Sequence, residues 1–143
     1  MMARPKRVAH VVINVTDLER ARRFYCEGLG MSETGALDGQ MLFLYFGAQA
    51  EAPHPFYHDV GLYKVDQAAP EDFRKCSGVS HVALLMNTAE DVDAATQRLR
   101  EQGFNVLKGP AVHKEDGYRY TYVEDPDRNV LELVAPTEAT RQL

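Results

Sequence analysis

The stretch HVVINVTDLERARRFYCEGLGM, residues 10–31, decides the fold, because its pattern returns as HVALLMNTAEDVDAATQRLREQGF at 81–104. Each copy opens with a short apolar, β-branched run, passes a threonine or aspartate suited to cap a helix, and then shows apolar residues at helical spacing up to a glycine. Each copy therefore predicts a strand followed by a helix. The two histidines at positions 10 and 81 stand 71 residues apart, and such self-similarity predicts two related modules.

Short strand-like runs follow each predicted helix, so each module reads as βαβββ and the fold class as α+β. We expect one domain over 1–143, with module one at 7–65, a polar, proline-containing linker at 66–77 and module two at 78–135. The expected later strands are 31–36, 40–47 and 58–65 in module one, and 104–108, 111–114, 118–124 and 129–134 in module two.

Composition excludes several classes of protein. With 45% hydrophobic and 26% charged residues the chain resembles an ordinary globular protein, and it has neither a membrane-length apolar run nor a signal-peptide pattern, so we expect a cytoplasmic location without membrane contact. A net charge of −5 argues against nucleic acid as a partner. Two separate cysteines, Cys26 and Cys76, predict reduced thiols rather than a disulfide framework.

Three residues are candidate metal ligands. Side chains alternate along a strand, so His10 and His81 fall on equivalent faces of their strands, away from the apolar residues that would pack under the helices. Glu132 interrupts the apolar run VLELV, where a carboxylate is costly to bury unless it is paired or bound to metal. Two histidines and one carboxylate with open positions are typical of non-haem Fe(II) sites.

Other interpretations of these residues remain open. A single histidine in an apolar strand is usually a hydrogen-bonded core residue, and Glu132 could instead form an ion pair with Arg119 or Lys108. The two histidines at equivalent repeat positions favour the metal interpretation.

The doubled pattern, together with DPDRNVLEL at 125–133, resembles the vicinal oxygen chelate superfamily over nearly the whole chain. That superfamily includes glyoxalase I, methylmalonyl-CoA epimerase, fosfomycin-resistance thiol transferases, bleomycin-binding proteins and type I extradiol dioxygenases. The resemblance implies that the two modules form one cupped, partly open mixed β-sheet barrel with the metal in its concavity. It also implies a homodimer or higher homo-oligomer.

The ligand set narrows the choice of reaction. Glyoxalase I and the epimerase take a fourth ligand from the last strand of module one, here HDVGLYKV at 58–65, whose central residues Gly61, Leu62 and Tyr63 offer no carboxylate. The remaining His, His, Glu set is the pattern of extradiol dioxygenases and of fosfomycin-resistance enzymes. Bleomycin-binding proteins lack this set.

The resemblance to the small single-domain extradiol dioxygenases extends to three further positions. YHDVGLYKV supplies His58 as an acid and base, and GPAVHKEDGYRYTYVEDPDRNVLELV at 109–134 supplies His113 and Tyr122 as hydrogen-bond donors to substrate and intermediate. By pattern alone, His58 and His113 could be solvated loop residues, and Tyr122 could be part of a packing stripe. Arg119 and Asp116 are candidates to orient these residues.

The sequence therefore predicts an oxidoreductase of aromatic catabolism. Fe(II), or Mn(II), held by His10, His81 and Glu132 would bind a catechol-type substrate and dioxygen, and the ring would open beside the diol. Two alternatives stay open: a metal-dependent thiol transferase of the fosfomycin-resistance type, in which Lys114, Arg119 and Arg128 would meet the phosphonate, and a binding protein without catalysis.

Overall fold

The structure, a computed structural model, describes residues 1–140 as two compact units, Met1–Ala68 and a second unit that begins at Ala69. Each unit contains one four-stranded mixed sheet and one principal helical segment in the order βαβββ. The α+β class and the doubled plan are thereby confirmed. Predicted module one lies in the first unit and module two in the second, while the expectation of one domain over 1–143 stays a prediction.

The first unit has the strand order β1-β4-β3-β2, in which β1 runs parallel to β4 and the other neighbours are antiparallel. Its helix α1 continues directly into a π-helical turn, Arg23–Gly28, and a short 3₁₀ turn, Gln49–Glu51, lies in the loop after β3. The elements are β1 (Val11–Val15), α1 (Leu18–Arg22), β2 (Ser32–Leu37), β3 (Met41–Tyr45) and β4 (Val60–Lys64).

The second unit repeats this order as β5-β8-β7-β6, again with the first strand parallel to the last. A 3₁₀ turn, Phe73–Lys75, precedes its first strand. The elements are β5 (Val82–Leu85), α2 (Ala89–Glu101), β6 (Val106–Val112), β7 (Arg119–Glu124) and β8 (Val130–Ala135). The shared topology explains why the sequence repeats at 71 residues.

Both helical segments begin where the sequence predicts and stop just before the predicted glycines, although the first is α-helical only to Arg22 and π-helical from Arg23 to Gly28. Asp17 caps α1 through its side chain, and Thr88 and Asp91 form a reciprocal capping box at the start of α2. Gly30 (φ +79°) and Gly103 (φ +85°) follow the helical segments with left-handed backbone conformations that favour glycine. The caps therefore set the strand–helix–strand spacing in both units.

The strands depart from the prediction at two places. Strand β1 begins at Val11 and β5 at Val82, because pairing with the last strand starts there, so His10 and His81 lie just before their strands. The expected strands 104–108 and 111–114 are one strand, β6, whose register shifts across a cis Gly109–Pro110 peptide. A bulge of this kind keeps two irregular residues within one strand.

One face of each sheet packs against the helix of its unit, and the other face carries the candidate residues. The helix-side face is apolar and buried in both units, as strand alternation predicts. On the opposite face Val12 is 45% exposed. The buried strand residues are Ile13, Val15, Leu42, Leu44, Val60 and Leu62 in the first unit and Leu84, Val123, Leu131 and Leu133 in the second.

The second half of the predicted linker is bound to the second unit. The Arg128 guanidinium donates to the carbonyl oxygens of Ala69 and Pro70 and lies 4.9 Å from the Phe73 ring centroid. Arg74 pairs with Glu124. Within residues 1–140, no helix is long and apolar enough to cross a membrane.

Candidate active site

Glu132 is the centre of the candidate site in the second unit. It lies in β8 between two leucines and is only 7% exposed, on the sheet face away from α2. His113 Nε2 lies 2.7 Å from one carboxylate oxygen and His81 Nε2 lies 3.4 Å from the other. These two imidazoles offset the cost of burying a carboxylate. The alternative interpretation, an ion pair of Glu132 with Arg119 or Lys108, is not what the described residues form.

The sheet register explains how the sequence brings these groups together. Glu132 pairs with Ala83 of β5 on one side and with Tyr122 of β7 on the other, so all three side chains share one face. His81 stands two residues before Ala83 and therefore reaches the same face from the end of the strand. The predicted clustering of His81, His113, Tyr122 and Glu132 is thus present within the second unit.

His113 is held from two directions. It lies in the turn between β6 and β7, and its ring stacks on Tyr120 with centroids 3.7 Å apart and an interplanar angle of 10°. Its Nε2 donates to the Glu132 carboxylate. Sequence analysis did not single out Tyr120, which the structure places directly against the ring of His113. The alternation of Tyr118, Tyr120 and Tyr122 predicts that Tyr120 shares a sheet face with Tyr122, but it does not identify His113 as the ring on which Tyr120 stacks.

Tyr122 is held as a neutral phenol. Burial raises the pKa of Tyr122, and the charge of Glu132 and hydrogen bonding to it raise this pKa further, because both oppose the phenolate. Its ring meets His81 edge to face at 5.2 Å. Tyr122 is therefore a hydrogen-bond donor at neutral pH.

His81 has a neighbour that the sequence analysis did not identify. The Ser80 hydroxyl lies 3.1 Å from His81 Nδ1, which orients the ring with Nε2 towards Glu132. A polar contact to the second ring nitrogen is the usual support of a metal-binding histidine. A serine directly before the histidine is too common a pattern to predict this contact.

In the first unit, His10 and His58 form a pair, with ring centroids 4.3 Å apart. The ring of His58 also lies 4.7 Å from that of Phe43, and its Nδ1 is 2.9 Å from the Phe56 carbonyl oxygen. The carbonyl oxygen accepts a hydrogen bond from a protonated Nδ1, and in the neutral ring this leaves a lone pair on Nε2. Within residues 1–140 that Nε2 is buried and has no hydrogen-bond partner.

Gly61 occupies the position in the first unit that Glu132 occupies in the second. Gly61 pairs with Val12, two residues after His10, as Glu132 pairs with Ala83, two residues after His81. A Cβ atom at Gly61 would collide with the Met41 methyl group. The first unit therefore has no carboxylate at the equivalent point.

The separation of His81 and Glu132 matches that of two ligands on one divalent cation. Two ligands about 2.1 Å from a tetrahedral ion lie roughly 3.4 Å apart, and His81 Nε2 and Glu132 Oε1 are separated by 3.4 Å. Among the described residues, no group of three or more histidine, cysteine, aspartate or glutamate side chains is arranged to hold a metal by itself. His81, Glu132 and His10 therefore stay predicted metal ligands.

The charged residues expected to help at the site have other partners. Arg119 forms a double hydrogen bond with Asp93 of α2, on the helix side of the sheet. Asp116 accepts a hydrogen bond from the Tyr118 amide within the β6–β7 turn. Arg128 binds the linker, so the cations named for phosphonate binding are dispersed.

Comparison with known proteins gives the chain's relationship. Residues 7–133 match the model of the Glyoxalase/Bleomycin resistance protein/Dioxygenase superfamily. A "Probable lactoylglutathione lyase" from Synechocystis sp. is 30% identical over 87% of this chain and 92% of its own length. The "Lactoylglutathione lyase" of Salmonella typhimurium is 28% identical over 96% and 98%. A glyoxalase/dioxygenase structure from Nostoc punctiforme shares the fold, with a TM-score of 0.70 and 19% identity over 96% and 98% of the two chains.

These findings correct the predicted reaction. The prediction of an extradiol dioxygenase, an oxidoreductase, is wrong, because relatives that match almost the whole chain are named lactoylglutathione lyases. The error arose at Gly61, since the absence of one carboxylate was read as excluding the glyoxalase branch. One missing ligand does not decide a reaction class when the other ligand types are common to several reactions.

The family prediction itself is confirmed by the match over residues 7–133 and by the doubled βαβββ topology. The chain belongs to the Glyoxalase/Bleomycin resistance protein/Dioxygenase superfamily.

Proposed function

We propose that this protein is a metal-dependent lyase of the glyoxalase type, acting on a small molecule with two adjacent oxygen atoms. The observation that carries the proposal is the buried Glu132 carboxylate with one histidine at each oxygen. The names of the relatives, which extend over nearly the full length of the chain, support the reaction class. The residues proposed for catalysis lie on the sheet faces that do not pack against the helices.

His81 and Glu132 would hold the metal ion, and His10 is proposed as a further ligand. A bound divalent cation supplies positive charge that stabilises developing charge on substrate oxygens. A lyase of this type exchanges no electrons with its metal, so the proposed reaction does not require a redox-active ion such as iron. Fe(II) and Mn(II) remain members of a wider set of divalent ions to test.

His58 is proposed as the group that accepts and returns a proton. Its Nδ1 faces a carbonyl oxygen, which in the neutral ring favours the tautomer with the proton on Nδ1 and an acceptor at Nε2. Because that buried Nε2 has no partner among the described residues, it is available to a substrate proton. A Cβ built at Gly61 would lie 3.5 Å from the His58 ring, so His58 borders the position of the absent carboxylate.

Tyr122 and His113 are proposed for two different tasks. Tyr122 keeps its proton and can donate a hydrogen bond to a substrate oxygen on which negative charge develops. His113 orients Glu132, since its Nε2 holds one carboxylate oxygen and leaves the other towards His81.

The proposed reaction moves one proton between neighbouring carbon atoms. A base removes the proton from a carbon that carries a hydroxyl group next to a carbonyl, and a proton is returned to the former carbonyl carbon. The hydroxyl oxygen loses its proton and the former carbonyl oxygen gains one, so that every bond broken has a counterpart formed. The hydroxyl and carbonyl exchange places, so substrate and product are isomers and no oxidant is needed. With the thiohemiacetal of glutathione and a 2-oxoaldehyde, the product is a thioester.

The test is thioester formation from methylglyoxal and glutathione by protein loaded separately with Zn²⁺, Ni²⁺, Co²⁺, Mn²⁺ or Fe²⁺. Activity with at least one ion is expected, and Glu132→Gln should lower it at least about 100-fold. Glu124→Gln is the matched control, because Glu124 pairs with Arg74 and Asn105 and touches neither histidine. Absence of thioester with every ion would overturn the proposal.

A further inference from the structure

The turn formed by residues 137–140 is bound to the turn that carries His113. The Thr137 hydroxyl donates to the Gly117 carbonyl oxygen at 2.8 Å, and the Thr137 amide donates to the Thr140 hydroxyl at 2.8 Å. Thr140 is only 6% exposed, and its amide donates to the Thr137 carbonyl. The 137–140 turn is therefore a closed hydrogen-bonded unit with one side-chain bond to the neighbouring turn.

The turn at 113–118 is also closed by its own backbone hydrogen bonds. The His113 amide donates to the Tyr118 carbonyl, and the Gly117 amide donates to the His113 carbonyl, each at 2.9 Å. Gly117 has φ +76°, and a Cβ atom there would lie 2.9 Å from the Thr140 methyl group. Glycine is required by both the backbone conformation and the close approach of the second turn.

These contacts join Thr137 to Glu132 in three steps. Thr137 holds the carbonyl of Gly117, the amide of Gly117 holds the carbonyl of His113, and the ring of His113 holds the Glu132 carboxylate at 2.7 Å. A shift of the Gly117 peptide would move the backbone of His113 and with it the position of Nε2. Histidine and carboxylate partners need to be fixed to a fraction of an ångström to act together.

We infer that Thr137 is a positioning residue that keeps His113 on Glu132. This inference rests on the proposed function only for its catalytic consequence, since the hydrogen-bonded path itself can be measured without substrate or metal. A residue that merely packs the chain end against the sheet would contribute to overall stability, whereas a positioning residue changes the mobility of the His113 turn in particular.

The first measurement is amide hydrogen exchange, which reports local opening. Thr137→Val removes the hydroxyl with little change in shape and should speed exchange at the His113 and Gly117 amides by about tenfold, in line with the loss of one hydrogen bond. The amides of β7 and β8 should not change. Thr137→Ser restores the hydroxyl and should restore slow exchange.

Thr96→Val is the control for general loss of stability. The Thr96 hydroxyl bonds Val92 and Thr121 on the helix side of the sheet, remote from the His113 turn. This variant should speed exchange around α2 and leave His113 and Gly117 as slow as the unchanged amides of their unit. Equal effects of Thr96→Val and Thr137→Val at the His113 turn would overturn the inference.

The second measurement is Zn²⁺ affinity in competition with a chelator, together with turnover. Thr137→Val should weaken Zn²⁺ binding about tenfold, as the loss of support around a ligand does, and should lower kcat more than it raises KM. If the unaltered protein binds no metal, the proposed function fails while hydrogen exchange still decides the role of Thr137. If exchange at His113 is unchanged in Thr137→Val, the role of Thr137 fails while the proposed function can stand.

Discussion

The two units have the same strand order and register but differ at one equivalent position, Gly61 in the first and Glu132 in the second. Around Glu132 the second unit holds His81 and His113, so that each carboxylate oxygen has an imidazole beside it. Around Gly61 the first unit holds His58, whose buried Nε2 has no hydrogen-bond partner within residues 1–140. Under the proposed function, this difference would assign metal binding to one copy of a repeated scaffold and proton transfer to the other.

The largest expected effect comes from making the second unit like the first. Glu132→Gly should abolish metal binding and lower lyase turnover at least about 100-fold, because His81 and His113 lose their shared carboxylate. Isothermal titration with Zn²⁺ and thioester formation measure the two effects. If the Glu132→Gly variant kept both Zn²⁺ binding and turnover, the second unit would not hold the metal through Glu132.

His58→Gln should affect turnover without affecting the metal. We expect kcat to fall about 100-fold, the range of a lost acid or base, with Zn²⁺ affinity changed less than about twofold, since His58 is not a proposed ligand. His54→Gln is a matched change in the same loop, where His54 accepts from the Phe56 amide, and should leave kcat nearly unaltered. Equal kcat values for the two variants would remove His58 from the reaction.

Gly61→Glu makes the first unit like the second. Only the end of the flexible Met41 side chain blocks the new Cβ closely, while Val12 lies 3.3 Å away, so the substitution should be tolerated with a new Met41 rotamer. An added carboxylate should tighten Zn²⁺ binding about tenfold if position 61 is a ligand position. If the Gly61→Glu variant folds but its Zn²⁺ affinity is unchanged, then equivalent strand register does not make position 61 a ligand position like position 132.

The smallest expected effect concerns the linker, which is bound to the second unit through Arg74 and Glu124. Burial would raise the pKa of Glu124, but hydrogen bonds from Asn105 and Arg74 outweigh it and hold the pKa below its usual range. A lowered pKa in the folded state stabilises the fold above the ordinary carboxyl pKa, and that stability is lost as the pH falls through the folded value.

Glu124→Gln should therefore lower the free energy of unfolding by about 1 kcal/mol at pH 7, a small value because Arg74 is 42% exposed. The difference from the unaltered protein should shrink below pH 4. Urea unfolding at both pH values measures it, and a difference that grew at low pH would contradict the assigned cause.

Much of the fold could be predicted from residues that recur in the two copies of the sequence repeat. His10 and His81 mark the starts of equivalent strands, and Asp17, Thr88, Gly30 and Gly103 set the helix ends, because caps and glycines act locally. The Glu132 environment also follows from alternation along β8. These features need only neighbours in sequence or the period of a strand.

Other features depend on contacts that a pattern does not carry. The passage of β6 through Gly109–Pro110 depends on pairing with β7, and the stacking of His113 on Tyr120 depends on how the intervening turn folds back. The reaction class could not be predicted from Gly61, since a single absent ligand is compatible with several chemistries on one fold.

The aromatic surroundings of Glu132 have an optical consequence. The chain contains seven tyrosines and no tryptophan, so its intrinsic fluorescence is tyrosine emission alone. Two of those tyrosines, Tyr120 and Tyr122, lie around His113 and Glu132, with their own rings 5.4 Å apart. A metal ion bound beside Glu132, as proposed, would change the electrostatic surroundings of these two tyrosines, so its binding could be followed by their fluorescence without a label.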